Sequence, residues 1–454
     1  MHVSNKDIVV LGAGRSGLSA AILLARHGAR VFLSERDAER KTPDIEKLLK
    51  EHGIGYEFGD HSGRIFSSDL VILSPGIPAS SAVVRDLNAR DIPVYSEIEA
   101  ASWFAESPVI AVTGSNGKTT TTALIADMLQ QSGISAVACG NIGHTFSRAV
   151  YTAIISGTQP LYVTEVSSYQ LETVSSFKPH VAVILNISPD HLDRYDSFLD
   201  YALYKCRILI NQKENDYAVL NRDDKMIRKH AKTQAFVIPV SEKKLPGTVA
   251  YFDDNTFSFR IGKRWHRLSK KDIKLFGVHN EYNIASAASA VSPFVDDHEG
   301  VFRSLRTFNS IPHRIEFAGE AVNIRFYNDS KGTNIEAVQM ALRSFNSPLH
   351  LILGGRDKGS DFRELIPYLS EEDKLYTIGE AGPKIIRQLG EFVPLACGDL
   401  ETAVMKAFDH AHPGDAVLLS PACASFDQYR DFEERGEHFK KIVRKIMGLG
   451  DEDA

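Results

Sequence analysis

Pro108-Val-Ile-Ala-Val-Thr-Gly-Ser-Asn-Gly-Lys-Thr-Thr120 is the stretch whose reading decides the fold. Val109 to Val112 form a short apolar run suited to a buried strand. Thr113 to Gly117 have the composition of a tight loop. From Lys118 onward, Leu124, Ile125, Met128 and Leu129 recur on one helical face. Strand, glycine loop, Lys-Thr and helix make a phosphate-binding loop. Glycine lets the backbone N–H groups of Gly114, Ser115, Asn116 and Gly117 turn toward an anion. The helix N-terminus, with Thr119 and Thr120, adds its partial positive charge. Lys118 is placed to reach the terminal phosphates and the Thr119 hydroxyl to hold Mg2+. Thr113 stands where the usual spacing puts the first glycine, so the loop is a variant of the pattern.

Upstream lies a second glycine turn, Ile8-Val-Val-Leu-Gly-Ala-Gly-Arg-Ser-Gly17, followed by Leu18, Ile22 and Ala25 at helical spacing. Val31 to Leu33 read as a strand ending at Ser34-Glu35, an acid about 20 residues on, as in a dinucleotide-binding fingerprint. That pattern places a phosphate on the helix N-terminus without saying which nucleotide carries it. Glycines needed only for strand–helix packing read the same way. The strand Leu70 to Leu73 ends in Ser74-Pro-Gly-Ile-Pro78, a turn at the carboxyl edge where ligands collect in open α/β sheets. Pro93 to Glu97 read as the last strand of this part, and a helix from Glu97 to Phe104 leads to the phosphate loop.

Downstream, strands are expected at Ser135–Cys139, Leu161–Thr164 and His180–Leu185, each ending in a polar loop. Glu165 and His191 sit in such loops and should converge on the phosphate loop. Asn211 to Lys274 read as shorter strands with turns, and Phe276 opens a further helix. A third part begins near Ile311-Pro-His-Arg314. Its strands Ile324–Tyr327, Leu349–Leu353 and Ala416–Leu419 also end in polar loops. Strands alternating with helices imply mainly parallel sheets. The expected fold is α/β with three domains. Residues 1–105 are Rossmann-like, 106–311 are a central P-loop ATPase, and 312–454 are again Rossmann-like. Hinges are expected near residues 106 and 311.

Composition narrows the class. The 454 residues are 43% hydrophobic and 24% charged, ordinary for a globular protein of about three domains. A net charge of −6 argues against a general nucleic-acid binder. The four cysteines lie far apart with no Cys-x-x-Cys pair, which suggests neither a zinc site nor a disulfide framework. No apolar run approaches the ~18 residues of a membrane span. The expectation is a cytoplasmic protein that does not insert into membranes.

Thr113 to Thr120, His279-Asn-Glu-Tyr-Asn283 and Pro312-His-Arg314 resemble motifs of a ligase superfamily that includes folylpolyglutamate synthases. Glu165-Val-Ser-Ser-Tyr-Gln-Leu-Glu172 and Ser420-Pro-Ala-Cys-Ala-Ser-Phe-Asp-Gln-Tyr429, with Phe432-Glu-Glu-Arg-Gly436, are similar to the Mur ligases of bacterial cell-wall synthesis, in the branch that adds D-glutamate. The resemblance runs from the first glycine turn to Arg435. It implies three domains, one for a UDP-sugar, one for ATP and one for the incoming amino acid. It implies UDP-N-acetylmuramoyl-L-alanine, D-glutamate and ATP as partners of a monomeric enzyme making a peptidoglycan precursor. ATP would phosphorylate the substrate carboxylate, and the amine of D-glutamate would then attack the acyl phosphate.

The same resemblance assigns residues. Glu165, beside Thr119, matches a Mg2+ ligand, and His191 the ligand of a second Mg2+. Lys205, in the Tyr-x-x-x-Lys-x-Arg-Ile pattern of Tyr201 to Ile208, matches a lysine carrying a CO2-derived carbamate. Asn280 and Asn283 match adenine contacts, although capping at a helix start is the plainer reading. Arg314 and Asp329 match ATP contacts from the third domain, with Asp329 accepting from the ribose hydroxyls. Lys331 and Thr333 match contacts near the reacting carboxyl and the amino acid. Lys358, Ser425 and Phe432 match D-glutamate contacts. Ser16, Glu35, Arg36 and Ser74, with Asn141, Ser167 and Gln170, match contacts to the UDP-sugar and its alanyl end. Three alternatives remain: another amino-acid ligase of the superfamily, an NAD-dependent oxidoreductase built on Gly12, Gly14, Gly17 and Glu35, and a non-catalytic nucleotide-binding switch.

Overall fold

The structure is a computed structural model that describes residues 1–190, 194–275, 278–308, 312–345 and 347–449. The first sheet contains β1 (Asp7–Leu11), β2 (Arg30–Glu35), β3 (Gly55–Phe58), β4 (Leu70–Leu73) and β5 (Val94–Ser96), all parallel, in the order β3-β2-β1-β4-β5. Successive strands run outward from β1 in both directions. The crevice at the carboxyl ends of β1 and β4 is therefore the topological switch point. The apolar runs of β1 and β4 have both faces buried, as strands flanked by crossover helices must.

The second sheet contains β6 (Val109–Thr113), β7 (Ala136–Gly140), β8 (Leu161–Glu165), β9 (Val181–Ile184), β10 (Tyr217–Asn221) and β11 (Phe236–Val240), in the order β11-β10-β9-β6-β8-β7. All its pairings are parallel. β6 lies between β8 and β9, so the loops after all three strands meet where the phosphate loop begins. The segment expected to hold only short strands with turns divides in two. Its first part, β10 and β11 with the helix Lys225–His230, extends this parallel sheet. Its second part, β12 (Ala250–Phe252), β13 (Thr256–Ile261) and β14 (Arg264–Ser269), is a separate antiparallel meander.

The third sheet contains β15 (Glu316–Ala321), β16 (Ile324–Asn328), β17 (Leu349–Gly354), β18 (Lys374–Ile378), β19 (Leu395–Gly398) and β20 (Ala416–Leu419). Its order is β15-β16-β20-β17-β18-β19, with only β15 antiparallel. The first two sheets belong to one compact unit and the third to another. The described helices include none long and apolar enough to cross a membrane.

Near residue 106, two acids on the helix Glu97–Ser102 bond across the connection between the first two sheets. Glu97, fully buried, accepts the Ser147 N–H at 2.6 Å, at the start of the helix Phe146–Ser156. Burial pushes its pKa up to about 7 against that bond. Glu99 accepts the N–H groups of Ser175, Ser176 and Phe177 at 2.8–2.9 Å, together with the Ser176 hydroxyl and the Trp103 indole. A carboxylate receiving this many donors fixes both elements.

Candidate active site

β6 ends at Thr113, and the helix Lys118–Gln131 starts after Gly117. Gly117 has φ +82°, and a Cβ there would overlap Asn283 Oδ1, so glycine is required on both counts. Lys118 Nζ donates to the carbonyls of Gly114 and Ser115, both at 2.8 Å. Thr119 and Thr120 are buried in the first turn of the helix, whose N–H groups have no acceptors within the helix itself.

Part of the loop is occupied in holding its own shape. Ser115 N–H donates to Asn186 O, and Asn116 N–H to Asn186 Oδ1 at 2.8 Å. Ser115 Oγ donates to Ser188 O and accepts the Ser188 N–H, both at 3.0 Å, and meets Tyr201 OH at 3.0 Å. The Ser115 hydroxyl thus latches the loop onto the chain leaving β9. Asn186, which no sequence pattern marked, closes the latch. Asn280 and Asn283 are both buried on the helix Val278–Val291, and Asn283 abuts the phosphate loop through Gly117.

Glu165 sits at the carboxyl end of β8, paired with Val112 of β6, and is 2% exposed. Its Oε1 accepts Asn141 Nδ2 at 3.0 Å, while its buried Oε2 has no hydrogen-bond partner among the described residues. An orphaned carboxylate oxygen at this position fits a hard divalent cation. Asn141, assigned to the sugar substrate, stands beside this carboxylate. Lys205 lies on the helix Phe198–Cys206 and is also 2% exposed. Its Nζ donates to Gly114 O at 2.8 Å, the carbonyl that Lys118 also uses, and lies 4.6 Å from the centre of the Tyr201 ring. Burial, and then the charge of Lys118, hold its pKa well below the usual lysine range, while Asp190 and Glu165 pull it back up. Lysine in the neutral amine form is a nucleophile. His191 lies outside the described residues.

At the first sheet's switch point, Gly12 (φ +97°) and Gly17 are required for contact. A Cβ on Gly17 would overlap Gly12 O, and one on Gly12 would strike Ser74. Ser74 Oγ donates to Gly12 O at 3.2 Å. Glu35 Oε2 accepts the Ala13 N–H at 2.6 Å, and Oε1 the Asp37 N–H at 2.9 Å. A cleft of about 430 Å³ opens here, lined by Gly12, Glu35, Arg36, Gly76, Pro78 and Ser81. Ser16 is half-buried on the adjoining helix Arg15–Arg26. Ser167 and Gln170 are engaged with each other: Gln170 Oε1 accepts the Ser167 N–H and Ser167 Oγ accepts the Gln170 N–H, a capping box on the turn Ser168–Leu171.

In the other unit, β16 and β20 are parallel neighbours, and the residues just beyond them meet. Asp329 Oδ2 accepts the Ser420 hydroxyl at 2.6 Å and Oδ1 the Ile315 N–H at 3.3 Å. Burial raises the Asp329 pKa to about 7 against the Ser420 bond and the charge of Arg314. Arg435, assigned no role from sequence, is 1% exposed. It donates to Ser330 Oγ at 2.9 Å, Ser330 O at 2.8 Å and Cys423 O at 3.2 Å. Lys331 Nζ lies 5.2 Å from the centre of the half-buried Phe432 ring. Thr333 N–H donates to Lys331 O. Reciprocal bonds between Arg356 and Ala424, at 2.8 and 3.1 Å, bring the exposed Lys358 loop beside the buried Ser425.

A phosphate loop whose shell holds two lysines and a carboxylate oxygen unpaired among the described residues, in a chain that carries two further α/β sheets, defines a P-loop nucleotide-using protein. Known proteins narrow this. Family models match in three consecutive pieces: the Mur ligase MurD-like N-terminal domain at residues 6–96, the Mur ligase middle domain at 112–291 and the Mur ligase glutamate ligase domain at 313–423. The UDP-N-acetylmuramoylalanine--D-glutamate ligase of Salinibacter ruber is 40% identical over 98% of this chain and 99% of its own. That of Koribacter versatilis is also 40% identical, with the same coverage. Among solved structures, the MurF ligase of Thermotoga maritima in complex with ADP has a TM-score of 0.61 at 19% identity, covering 98% of this chain and 96% of its own. The UDP-N-acetylmuramate-alanine ligase MurC of Thermotoga maritima has a TM-score of 0.59 at 18% identity, covering 97% and 100%. These two share the fold. The chain belongs to the Mur ligase family.

Proposed function

We propose that the chain is the ATP-dependent ligase that adds D-glutamate to UDP-N-acetylmuramoyl-L-alanine, forming ADP and phosphate in peptidoglycan precursor synthesis. The observation that carries the chemistry is the shell of the phosphate loop, in which Lys118 and Lys205 share the Gly114 carbonyl near the unpaired Glu165 Oε2. Relatives of that name at 40% identity carry the substrate.

A carboxylate is a poor electrophile until one oxygen is phosphorylated, which makes an acyl phosphate, a mixed anhydride with a good leaving group. Lys118 and the first turn of the following helix hold the terminal phosphates of ATP and stabilise charge as the phosphoryl group moves to the alanyl carboxylate. The D-glutamate amine then attacks the acyl carbon and phosphate leaves. Thr119, Glu165, His191 and Lys205, the last as a carbamate, would hold Mg2+ at two sites, and the ion would supply positive charge to the phosphate oxygens. A depressed Lys205 pKa favours the neutral amine that a carbamate requires.

Residues 1–105 are assigned to the UDP-sugar, with Ser16, Glu35, Arg36 and Ser74 at the uridine diphosphate and Asn141, Ser167 and Gln170 toward the alanyl end. Residues 106–311 are assigned to ATP, joined by Arg314 and Asp329. Residues 312–454 are assigned to D-glutamate through Thr333, Lys358, Ser425 and Phe432, with Lys331 at the reacting carboxyl. The enzyme is proposed to act as a monomer in the cytoplasm. Phosphate release from ATP tests the reading. It should require UDP-N-acetylmuramoyl-L-alanine and D-glutamate together, with D-glutamine a poor replacement because it keeps the shape and loses the charge. Release indifferent to the UDP-sugar, or equal with L-glutamate, would overturn it.

A further inference from the structure

Glu172, Arg194 and Tyr195 belong to neither the phosphate loop nor the first sheet's cleft, yet they join the two. Arg194 grips Glu172 with two bonds, Nε to Oε1 at 3.1 Å and Nη2 to Oε2 at 3.0 Å. Tyr195 OH donates to the same Oε1 at 2.9 Å. The pair is nearly dry, with side chains 12% and 5% exposed, and the guanidinium lies 3.8 Å from the centre of the Tyr169 ring. Both members then reach the first sheet. Arg194 Nη1 donates to Pro75 O at 3.0 Å, and Glu172 Oε2 accepts the Ala79 N–H at 3.2 Å. Pro75 and Ala79 bracket Gly76-Ile-Pro78, which forms one wall of the cleft.

In the other direction the connection reaches the phosphate loop. The Tyr195 ring packs on the Tyr201 ring at 5.5 Å, and Tyr201 touches both Ser115 Oγ and Lys205. The cleft wall and the phosphoryl-transfer residues are thus tied through one buried ion pair.

We propose that Glu172 and Arg194 are positioning residues that set the distance between the UDP-sugar cleft and the phosphate loop, so that the substrate carboxylate meets ATP in register; this rests on the ligase reading above. The physical ground is span. A bidentate Arg–carboxylate pair has one geometry, and its remaining donor and acceptor fix two backbone points of the wall. A substrate held at one end and reacting at the other is sensitive to such a wall, since displacements of about 1 Å at a reacting centre cost on the order of 100-fold in rate.

The test is steady-state kinetics with ATP, D-glutamate and UDP-N-acetylmuramoyl-L-alanine on Glu172→Gln, Arg194→Lys and the double variant Glu172→Gln/Arg194→Gln. Arg194→Lys keeps a buried positive charge and so remains folded if Glu172→Gln does not. The expected result is a KM for the UDP-sugar raised about 10-fold or more and a lower kcat, with the KM for ATP and for D-glutamate within about twofold of the parent. The double variant should be no worse than the worse single one, because the two residues act as one device. Equal rises in all three KM values, or unchanged kinetics in both single variants, would overturn the proposal while the parent enzyme stays active. Failure of the ligase reading would instead show as a parent protein that releases no phosphate with these substrates.

Discussion

The two glycine turns of this chain, Gly12 to Gly17 and Gly114 to Gly117, both join a parallel strand to a helix, but the charged groups that close them are arranged differently. At the first, the shell holds an acid that is already bonded and paired with Arg40 at 4.0 Å. Glu35 accepts the Ala13 N–H, Ser74 bonds the Gly12 carbonyl, and the glycines exist because strand and helix touch at Gly12 and Gly17. At the second, two lysine amines converge on the Gly114 carbonyl, and one oxygen of Glu165 has no partner among the described residues. One backbone pattern therefore serves two ends. Where the acid is already bonded and paired, the turn can hold a ligand by shape and hydrogen bonds. Where two lysine amines and a carboxylate oxygen unpaired among the described residues gather, it can also stabilise charge that moves.

If that contrast is right, the turns should fail differently. The largest effect is expected from Lys118→Ala: kcat lower by about 10³-fold, as for loss of a donor aimed at transition-state charge, with an unfolding temperature close to the parent's. Phosphate release and thermal unfolding on one sample check it, and a folded variant with normal turnover would refute the assignment. Next comes Lys205→Ala, expected to lose roughly 10²-fold or more and to recover part of it in acetate, which can fill the space of an anionic group beside Mg2+. Absence of rescue, with no CO2-derived mass on the native protein, would count against the carbamate.

At the first turn the damage should appear in stability. Gly17→Ala sets a methyl group against the Gly12 carbonyl and is expected to lower unfolding free energy by about 1–3 kcal/mol, with the KM for ATP unchanged. Denaturant unfolding measures this, and an unaffected midpoint would show that the strand–helix contact is not what requires glycine. The smallest effect concerns the seam that joins the two sheets. Burial raises the Glu97 pKa to about 7, above its unfolded value of about 4.3. The stability that neutral Glu97 contributes is full below the unfolded value and is lost as pH rises through about 7. Glu97→Gln is neutral throughout, so its unfolding temperature relative to the parent should rise between pH 5 and pH 8. A constant difference across that range would mean that Glu97 does not titrate there.

Much of the fold was legible because a parallel strand covered on both faces must be an apolar run, and a strand that turns tightly into a helix must use glycine. β1, β4, β6, β9, β17 and β20 all read this way. Others did not. β11 contains Pro239, which lacks an N–H, and β11 is an edge strand, the place where that loss is tolerated. β19 is also an edge strand, and three of its four residues are exposed, so no apolar run announced it. In the candidate site, the positions of Glu165 at a strand end and Lys118 at a helix start were legible. The latching of Ser115 by Asn186 and Ser188 was not, nor was the buried Arg435 bonded to Ser330 and Cys423.

Local sequence decided where strands end and which turns need glycine, because sterics and burial act over a few residues. Tertiary structure alone decided which charged groups and backbone polar groups face one another. Lys205 reaches Gly114 across 91 positions, Ala79 reaches Glu172 across 93 and Arg194 reaches Pro75 across 119. A lysine's pKa and the partner of a carboxylate depend on desolvation and on groups within a few ångströms. Neither exists until the sheets have packed.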